Sequence, residues 1–592
     1  MRHLLRKLRL IFLLLITGCL LNGQRLSRDL NVDLLTNQVG YVPSANKTFV
    51  TKGIRTGKFE VFSLESKKVV YSGTMKPNPG DFGEYSVGDF SPVTGEGNYY
   101  IKSDTSRSYP FAISKRVYDH PMNLIVGYFS LQRCGYSTTG YLSPCHLDDG
   151  VRMDNGKHQD VTGGWHDASD LRKWVDAIIY GMLGLGKQYD LLDPKDTRRP
   201  KVLDELLWGN QYFLRMQEPQ GYVMNWVGGD VKKHSDSNRW TDSEIGPEGG
   251  EMTYVRPNAG RSFGDMLIFG SNDDRVIRTD PVTMVGQYNF IISEAMMARF
   301  TKKTDPAYSK KCLQAAISCF DWCARNNKST SPTVYGGAIL GSIELYKATG
   351  NETYKTFAAE QAALLKIQQA IIKDGGASGF FFTSPAREIP FKSKISDGCL
   401  EFIGLCDLIT IFPSHKDVPS WKEMISEYST NYLLALSQKN SFGIVPYAVY
   451  PKDPGGNRKT GNYWYRYTMQ PELRWWVGIN ANLASAGIGL LKASEILNDP
   501  SLKAAAQRQL DWIIGLNPFA SSTIISVGYN HPNRFMGGEF KPFVPVIPGA
   551  VMNGLGGDKD DNPDIKHGSW QTSEYWTPMV AFTLWLMTEI SE

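Results

Sequence analysis

The hydrophobic pattern of the chain changes once, near residue 115, and this change constrains the fold more than any other feature. Before it, short runs rich in aromatic and β-branched residues are separated by turn residues at regular spacing, which is typical of a small β-sandwich. After it, apolar residues recur at helical spacing in one segment after another. The sequence therefore predicts two domains, a β-sandwich over 33–115 and an all-α domain over 116–592.

Both domains contain many predicted elements. Strands are predicted at 47–50, 58–64, 67–73, 83–90, 97–103 and 108–114. Helices are predicted at 118–133, 170–189, 202–217, 283–302, 308–325, 333–348, 353–373, 395–411, 418–437, 475–497, 500–515 and 573–589. A chain of 592 residues is long enough for two such domains with a large core.

The N-terminus has the layout of an export signal. Four basic residues precede the apolar run 10–16, which is too short to span a bilayer. The tetrapeptide 16–19, Ile-Thr-Gly-Cys, resembles a bacterial lipobox, in which the cysteine is lipidated after cleavage. We therefore expect 1–18 to be a signal peptide, Cys19 to carry a lipid anchor in the membrane, and 19–32 to be a tether. An ordinary signal peptide with an incidental cysteine is the alternative.

The charge balance excludes a nucleic-acid partner. The full chain has a formal net charge of +4, from 64 basic and 60 acidic residues, and 1–18 contain four basic and no acidic residues. The mature protein would therefore have a net charge of zero and no basic field that attracts a phosphate backbone. Together with the export signal, this predicts an outer-membrane lipoprotein of the bacterial cell envelope, facing the periplasm or the cell surface.

The segment 163–170, Gly-Gly-Trp-His-Asp-Ala-Ser-Asp, places two carboxylates three residues apart just before a predicted helix. An Asp at the start of a helix can serve as an N-cap, and the helix dipole favours its charge there. That interpretation explains Asp170 but leaves Asp167 unexplained. Paired acids can instead hold and deprotonate a water molecule, one as the base and the other as an orienting group.

The segment resembles the DAGD motif of glycoside hydrolase family 9, the inverting β-glucanases. Further landmarks of that family follow in the expected order over more than 500 residues: NQVGY at 37–41, QRCG at 132–135, DWIIGLNPF at 511–519, PGAVMNG at 548–554 and SEYWTPMVAFTLWL at 573–586. The resemblance implies an immunoglobulin-like β-sandwich followed by an (α/α)6-barrel catalytic domain. Closure of the barrel is implied by the resemblance alone.

The resemblance also implies the catalytic residues. Asp170 matches the family's general base, Asp167 its partner in positioning water, and Glu574 the general acid that protonates the leaving oxygen. A charge in the first turn of a helix is the alternative role for Glu574. Two local differences separate this chain from the usual pattern: Ser169 replaces the glycine of DAGD, and Ser573 stands where the family commonly has Asn.

Candidate substrate-binding residues lie in loops. Family members place a His-His-Arg cluster against the sugar, and this chain offers His531 and Arg534 in the corresponding region; an exposed surface loop is the alternative. Trp165, Trp464 and Trp576 are candidates for stacking on pyranose rings, since aromatic rings offer a large apolar area with fixed geometry. Packing in the core is the alternative for each.

Four side chains near the paired acids can bind metal: Cys134, Cys145, His146 and His166. Two thiolates and two imidazoles suit a closed tetrahedral zinc site, which is structural, and the same four positions match a zinc site found in some family members. A disulfide between Cys134 and Cys145 is the alternative in an exported protein. Because His166 adjoins Asp167, zinc would brace the catalytic loop.

Other polar and cysteine clusters have simpler interpretations. The Asp-rich stretches 272–274 and 558–561 are typical of solvated turns, with calcium, which family members often bind, as the alternative. The remaining cysteines fall on helix faces and are expected to be buried apolar residues; they are Cys312, Cys319, Cys323, Cys399 and Cys406.

Together these features predict an exported, lipid-anchored, inverting glycoside hydrolase. The expected substrate is a β-linked glucan of the cellulose-like, mixed-linkage or xyloglucan type. Two alternatives stay open at this stage. One is a surface carbohydrate-binding protein on a degenerate hydrolase scaffold, and the other is an enzyme of the same barrel type that acts on another polysaccharide.

Overall fold

The structure, a computed structural model, describes most of the chain. The described residues are 32–135, 146, 149–170, 172–228, 275–535 and 546–592, together with the backbone of 252–255 and 267–270. The predicted signal peptide, Cys19, Cys145 and the Asp-rich stretch 272–274 therefore lie outside the described residues. No helix in the described part of the chain is both long and apolar enough to cross a membrane.

The N-terminal domain is a curled antiparallel sheet of nine strands. They are β1 (Leu34–Leu35), β2 (Gly40–Tyr41), β3 (Thr48–Lys52), β4 (Gly57–Ser63), β5 (Val69–Pro77), β6 (Tyr85–Asp89), β7 (Gly97–Ser103), β8 (Ser106–Arg107) and β9 (Phe111–Ile113). The strand order is β1-β3-β6-β5-β4-β7-β9-β2, β8 pairs with β7, and only β2 and β9 are parallel. The six predicted strands are confirmed.

The sheet curls because β5 belongs to both of its halves. Its first residues pair with β4, and Lys76 and Pro77 pair with β6. Alternate residues of β4 and β7 point inward, as expected for a sheet with one buried face. Aromatic rings fill the space between the layers, and Phe49 packs edge to face on Phe59 with ring centroids 4.8 Å apart.

Twelve helices of nine or more residues follow in the described part of the chain. They are α1 (Asp119–Leu131), α2 (Val175–Leu191), α3 (Arg199–Arg215), α4 (Met284–Thr301), α5 (Pro306–Asn326), α6 (Pro332–Thr349), α7 (Glu352–Gln368), α8 (Leu400–Ile411), α9 (Val418–Ser426), α10 (Asn480–Leu497), α11 (Pro500–Ile513) and α12 (Thr577–Ser591). A π-helical stretch, Glu427–Leu434, extends α9. Each predicted helix is present, although several begin or end a few residues away from the predicted bound.

Short strands line the loops between helices. They are β10 (Val151–Arg152), β11 (Lys173–Trp174), β12 (Met224–Gly228), β13 (Met252–Val255), β14 (Leu267–Gly270), β15 (Val276–Pro281), β16 (Ala448–Tyr450), β17 (Lys459–Thr460), β18 (Tyr463–Arg466), β19 (Gly556–Gly557) and β20 (Pro563–Asp564). A 3-10 turn at Ile395–Asp397, a short helical piece at Ala435–Ser437 after the π-helical stretch, and a single helical turn at Trp570–Ser573 complete the described elements.

The helices form two concentric rings. Each even-numbered helix packs against the next even-numbered helix, and α12 packs against α2, which closes an inner ring of six helices. The inner helix α2 is buried almost all round, whereas the outer helix α3 buries one face, as an amphipathic surface helix does. The (α/α)6 barrel is therefore confirmed, and the loops that enter the inner helices meet at one end of it.

One predicted boundary is wrong in a way that matters for function. The helix predicted from residue 170 begins at Val175, because Lys173 and Trp174 are extended and pair with Val227 and Trp226 of β12. Trp174 is the N-cap residue and makes no capping hydrogen bond through its side chain. The N-cap interpretation of Asp170 is therefore excluded.

Candidate active site

The loop 163–170, here called the base loop, is held in place by its backbone. The N–H of Cys134 donates to the carbonyl of Gly164 at 2.9 Å, and the N–H of His166 donates to the carbonyl of Gln132 at 3.0 Å. The amide of Gln132 donates to the carbonyl of Ala168 at 2.6 Å. The end of α1 and the residues after it thus fix the loop that carries both Asp residues.

Asp167 and Asp170 are both buried. The N–H of Asp167 donates to the carbonyl of Arg172 at 2.9 Å, which closes the turn. Asp170 accepts hydrogen bonds from the backbone N–H of Arg172 at 3.2 Å and from its guanidinium at 2.9 Å. Arg172, whose role the sequence analysis missed, therefore fixes the orientation of the Asp170 carboxylate.

Glu574 lies just before α12, the inner helix that packs against α2. Its carbonyl accepts the N–H of Asn553 at 2.7 Å. Its carboxylate accepts the hydroxyl of Ser169 at 2.5 Å. The N–H and hydroxyl of Thr577 both donate to the carbonyl of Asp167 at 2.9 Å. The structure thus brings Asp167, Asp170 and Glu574 into one site, although Glu574 is about 400 residues away from the two Asp residues in the sequence.

The electrostatic environment gives Glu574 an unusual pKa. Burial and then the charge of Asp170 raise the pKa of Glu574, the Ser169 hydrogen bond and the Arg172 charge oppose the rise, and the net pKa is about 7. A carboxyl group with this pKa holds a proton near neutral pH and can give it away. Two carboxyl groups in contrasting environments are the arrangement that acid and base roles require.

The tryptophan predictions have mixed outcomes. Trp165 is fully buried and its ring packs edge to face on Phe129 at 5.2 Å; its assignment as a sugar-stacking residue is wrong, because the helix packing leaves no face of the ring open. Trp576 is half-buried, and its ring lies 6.2 Å from that of the exposed Trp475. The ring of Trp570 also lies 6.3 Å from that of Trp475. These three rings form an aromatic cluster around the segment that carries Glu574.

The remaining predicted substrate-binding residues lie in other segments of the barrel domain. Trp464 is a half-buried residue of β18, and its role stays a prediction. The ring of His531 is half-buried and bonds to the carbonyl of Ser522 at 3.0 Å, and burial lowers the pKa of His531. Arg534 is exposed. The neighbouring Asn533 donates its N–H to the ring of His567 at 3.1 Å, which links this segment to the loop that leads to Glu574.

Three of the four predicted metal ligands come together in the structure. Cys134, His146 and His166 are buried, and their ligand atoms lie within 4.8 Å of one another. Nδ1 of His146 lies 2.6 Å from the carboxylate of Asp149, which also pairs with Lys173 at 2.6 Å. A carboxylate on the second ring nitrogen is the usual support of a metal-binding histidine. The donors fit zinc, with Cys145 outside the described residues.

The other predicted clusters are structural. Asp561 is buried and is already paired with the guanidinium of Arg458 at 2.8 Å and the hydroxyl of Thr468 at 2.5 Å. Asp558 accepts the N–H groups of Asp560 and Asn562, as in a turn. The stretch 558–561 forms a turn, as the simpler interpretation predicts, and calcium there stays a prediction. The five helix-face cysteines are buried as predicted; they are Cys312, Cys319, Cys323, Cys399 and Cys406.

Comparison with known proteins shows the family. The profile of glycosyl hydrolase family 9 matches residues 118–587, and that of the cellulase N-terminal ig-like domain matches 32–108. The chain belongs to glycosyl hydrolase family 9. Accordingly it is a glycoside hydrolase of β-linked glucans, as predicted, and a binding protein without activity is not favoured.

Named relatives agree with this assignment. Endoglucanase D of Acetivibrio thermocellus is 27% identical over 93% of this chain and 82% of its own length. A cellodextrinase of Butyrivibrio fibrisolvens is 32% identical over 84% of this chain and 85% of its own. The crystal structure of a thermostable endoglucanase from Alicyclobacillus acidocaldarius has a TM-score of 0.65 and 17% identity, covering 95% of this chain and 99% of that one. At that identity the last match supports the fold alone.

Proposed function

We propose that this protein hydrolyses β-1,4-linked glucans with inversion, using Asp170 as the general base and Glu574 as the general acid. The observation that carries the proposal is the hydrogen-bonded junction between the base loop and the start of α12, where Glu574 has a pKa of about 7 beside the charge of Asp170. No other feature of the site is needed to supply one proton donor and one proton acceptor.

The reaction follows from these two roles. Glu574 gives its proton to the glycosidic oxygen as the bond between that oxygen and the anomeric carbon breaks. A water molecule attacks the anomeric carbon from the opposite face and loses its proton to Asp170, with Asp167 orienting the water. Because a water must fit between base and sugar, the carboxyl groups of Asp170 and Glu574 are expected to lie roughly 6.5–9.5 Å apart.

The aromatic cluster supports a glucan as the substrate. Trp475, Trp570 and Trp576 offer apolar area beside Glu574, and pyranose faces stack on such rings. One relative is named an endoglucanase and another a cellodextrinase. We therefore favour unsubstituted β-1,4-linked glucose chains, with mixed-linkage glucan and xyloglucan as the competing substrates in a glycan panel.

Two substitutions test the catalytic roles. Asp170→Asn should abolish hydrolysis of natural glucans, because no base remains to deprotonate the water. Glu574→Gln should lower activity on cello-oligosaccharides by about 100-fold or more, yet spare aryl glycosides whose leaving group needs no proton. Glu65→Gln is the matched control, since Glu65 also accepts a serine hydroxyl but lies in the N-terminal domain. Full activity of both active-site variants would overturn the proposal.

A structural zinc is the second part of the proposal. Cys134, Cys145, His146 and His166 would hold one ion in a closed site that takes no part in the reaction. Its support is the convergence of three donors next to Asp167. Elemental analysis should find about one zinc per chain, and chelation should lower thermal stability. Absence of zinc together with a mapped Cys134–Cys145 disulfide would contradict it.

The cell envelope is the proposed location. The lipobox-like tetrapeptide 16–19 supports lipidation of Cys19 after removal of 1–18. Cys19→Ala should release the protein from the membrane fraction or leave it unprocessed. Unchanged membrane fractionation of that variant would argue against the anchor.

A further inference from the structure

The residue that separates this chain from the DAGD pattern touches the proposed general acid. Ser169 stands in the glycine position and is half-buried. Its φ is not positive, so a side chain here causes no left-handed backbone strain. The serine thus adds a hydroxyl group to the base loop without straining the backbone.

That hydroxyl contacts the proposed acid from the residue next to the proposed base. Ser169 Oγ is 2.5 Å from Oε1 of Glu574, and the next residue, Asp170, is fixed by Arg172. The charged and titratable groups that face Glu574 are Asp170 from the base loop, Arg172 just after it, and Tyr128 from α1. Among these neighbours Ser169 supplies a neutral hydrogen-bond donor.

We propose that Ser169 is a positioning residue that aims the general acid: by donating to Oε1 of Glu574, it leaves Oε2 to carry the proton that goes to the leaving oxygen. The inference rests on the proposed function and adds a residue to it. A glycine at this position would keep the backbone hydrogen bond of residue 169 to Glu574 but would lose the hydroxyl donor that selects Oε1.

The hydrogen bond also acts on the charged product of proton transfer. After Glu574 gives up its proton, Oε1 carries negative charge, and a hydroxyl donor stabilises the ionised form more than the neutral one. Ser169 therefore lowers the pKa of Glu574, against the larger effects of burial and of Asp170. Removal of the hydroxyl should therefore raise the pKa of Glu574 and also make the orientation of its carboxyl group less fixed.

The test compares Ser169→Ala with Ser169→Thr, which keeps a hydroxyl. Ser63→Ala is the matched control, because it removes a serine hydroxyl bound to Glu65 in the N-terminal domain. Each purified full-length variant is assayed for kcat and KM over pH on a cello-oligosaccharide and on an aryl β-glycoside with a good leaving group. Misplacing a catalytic group costs up to about 100-fold in rate, which sets the scale of the effect.

For Ser169→Ala we expect kcat on the cello-oligosaccharide to fall about tenfold or more, with a smaller fall on the aryl glycoside. The basic limb of kcat/KM should move to higher pH, and Ser169→Thr should restore both properties. Equal losses on both substrates with an unmoved basic limb would show a merely structural role and overturn the inference. If Glu574→Gln loses activity on the cello-oligosaccharide but keeps it on the aryl glycoside, while Ser169→Ala behaves as wild type, the inference fails and the proposed function stands.

Discussion

At the scale of single residues, the account depends on how the surroundings of Glu574 set its protonation. Burial and the charge of Asp170 raise the pKa of Glu574 to about 7. The proposed general acid works only when it is protonated. Its activity is therefore present below this pKa and lost as the pH rises through it, and hydrolysis of cello-oligosaccharides should fall on the basic side with an apparent pKa near 7. A kcat/KM profile that stays flat to pH 9 would contradict the role of Glu574.

Some residues of the site could be predicted from the sequence and others could not. Asp167, Asp170 and Glu574 could be predicted because each lies in a motif of the family, and these motifs occur in the expected order along the chain. The pairing of Asp170 with Arg172, and of Asp149 with His146 and Lys173, depends on side-chain directions that spacing does not give. Arg172 is a charged neighbour two residues from Asp170, and that signal could have identified it.

At the scale of elements, helical periodicity predicted all twelve helices, but it could not place the start of α2 or the burial of Trp165. Lys173 and Trp174 are extended because β12, about 50 residues later, pairs with them, and no local pattern contains that pairing. Trp165 is buried because Gly209 of α3 leaves room for its ring. Such contacts between elements decide which aromatic residues of a loop remain available to a sugar.

Gly209 provides a test of this packing. A Cβ at Gly209 would lie 2.0 Å from the ring of Trp165, so Gly209→Ala should displace the ring and the base loop. We expect a loss of about 1–3 kcal/mol in unfolding free energy and a lower kcat. Gly127→Ala on α1 is the control, because a Cβ there meets only the end of Lys201 at 3.9 Å. Equal melting temperatures for the two variants would refute the packing argument.

At the scale of the whole molecule, the N-terminal domain supports a loop of the barrel. The amide of the buried Gln38 donates to the carbonyl of Ala520 at 2.6 Å, and its oxygen accepts the N–H groups of Tyr529 at 2.7 Å and Asn530 at 3.2 Å. The next residue is His531, a predicted substrate-binding residue. The sequence predicted both domains but not this contact, which joins residues almost 500 positions apart.

This contact makes a prediction about substrate binding. Gln38→Ala removes three hydrogen bonds between the two domains, so thermal or denaturant unfolding should show a loss of about 2–4 kcal/mol. The KM for cello-oligosaccharides should rise with it, because the His531 loop loses its support. Gln314→Ala, at an exposed position of α5, should change neither property. An unchanged KM for Gln38→Ala would show that this contact of the N-terminal domain does not affect substrate binding.

The stereochemistry of the first product tests the central claim most directly. Proton NMR can follow the hydrolysis of a β-1,4-linked cello-oligosaccharide by the wild-type protein before mutarotation mixes the anomers. With Asp170 as a base acting through water and Glu574 as the acid, the new reducing end should appear first as the α anomer. Initial release of the β anomer would require a nucleophilic carboxylate in place of a base, and would contradict the assignment of both residues.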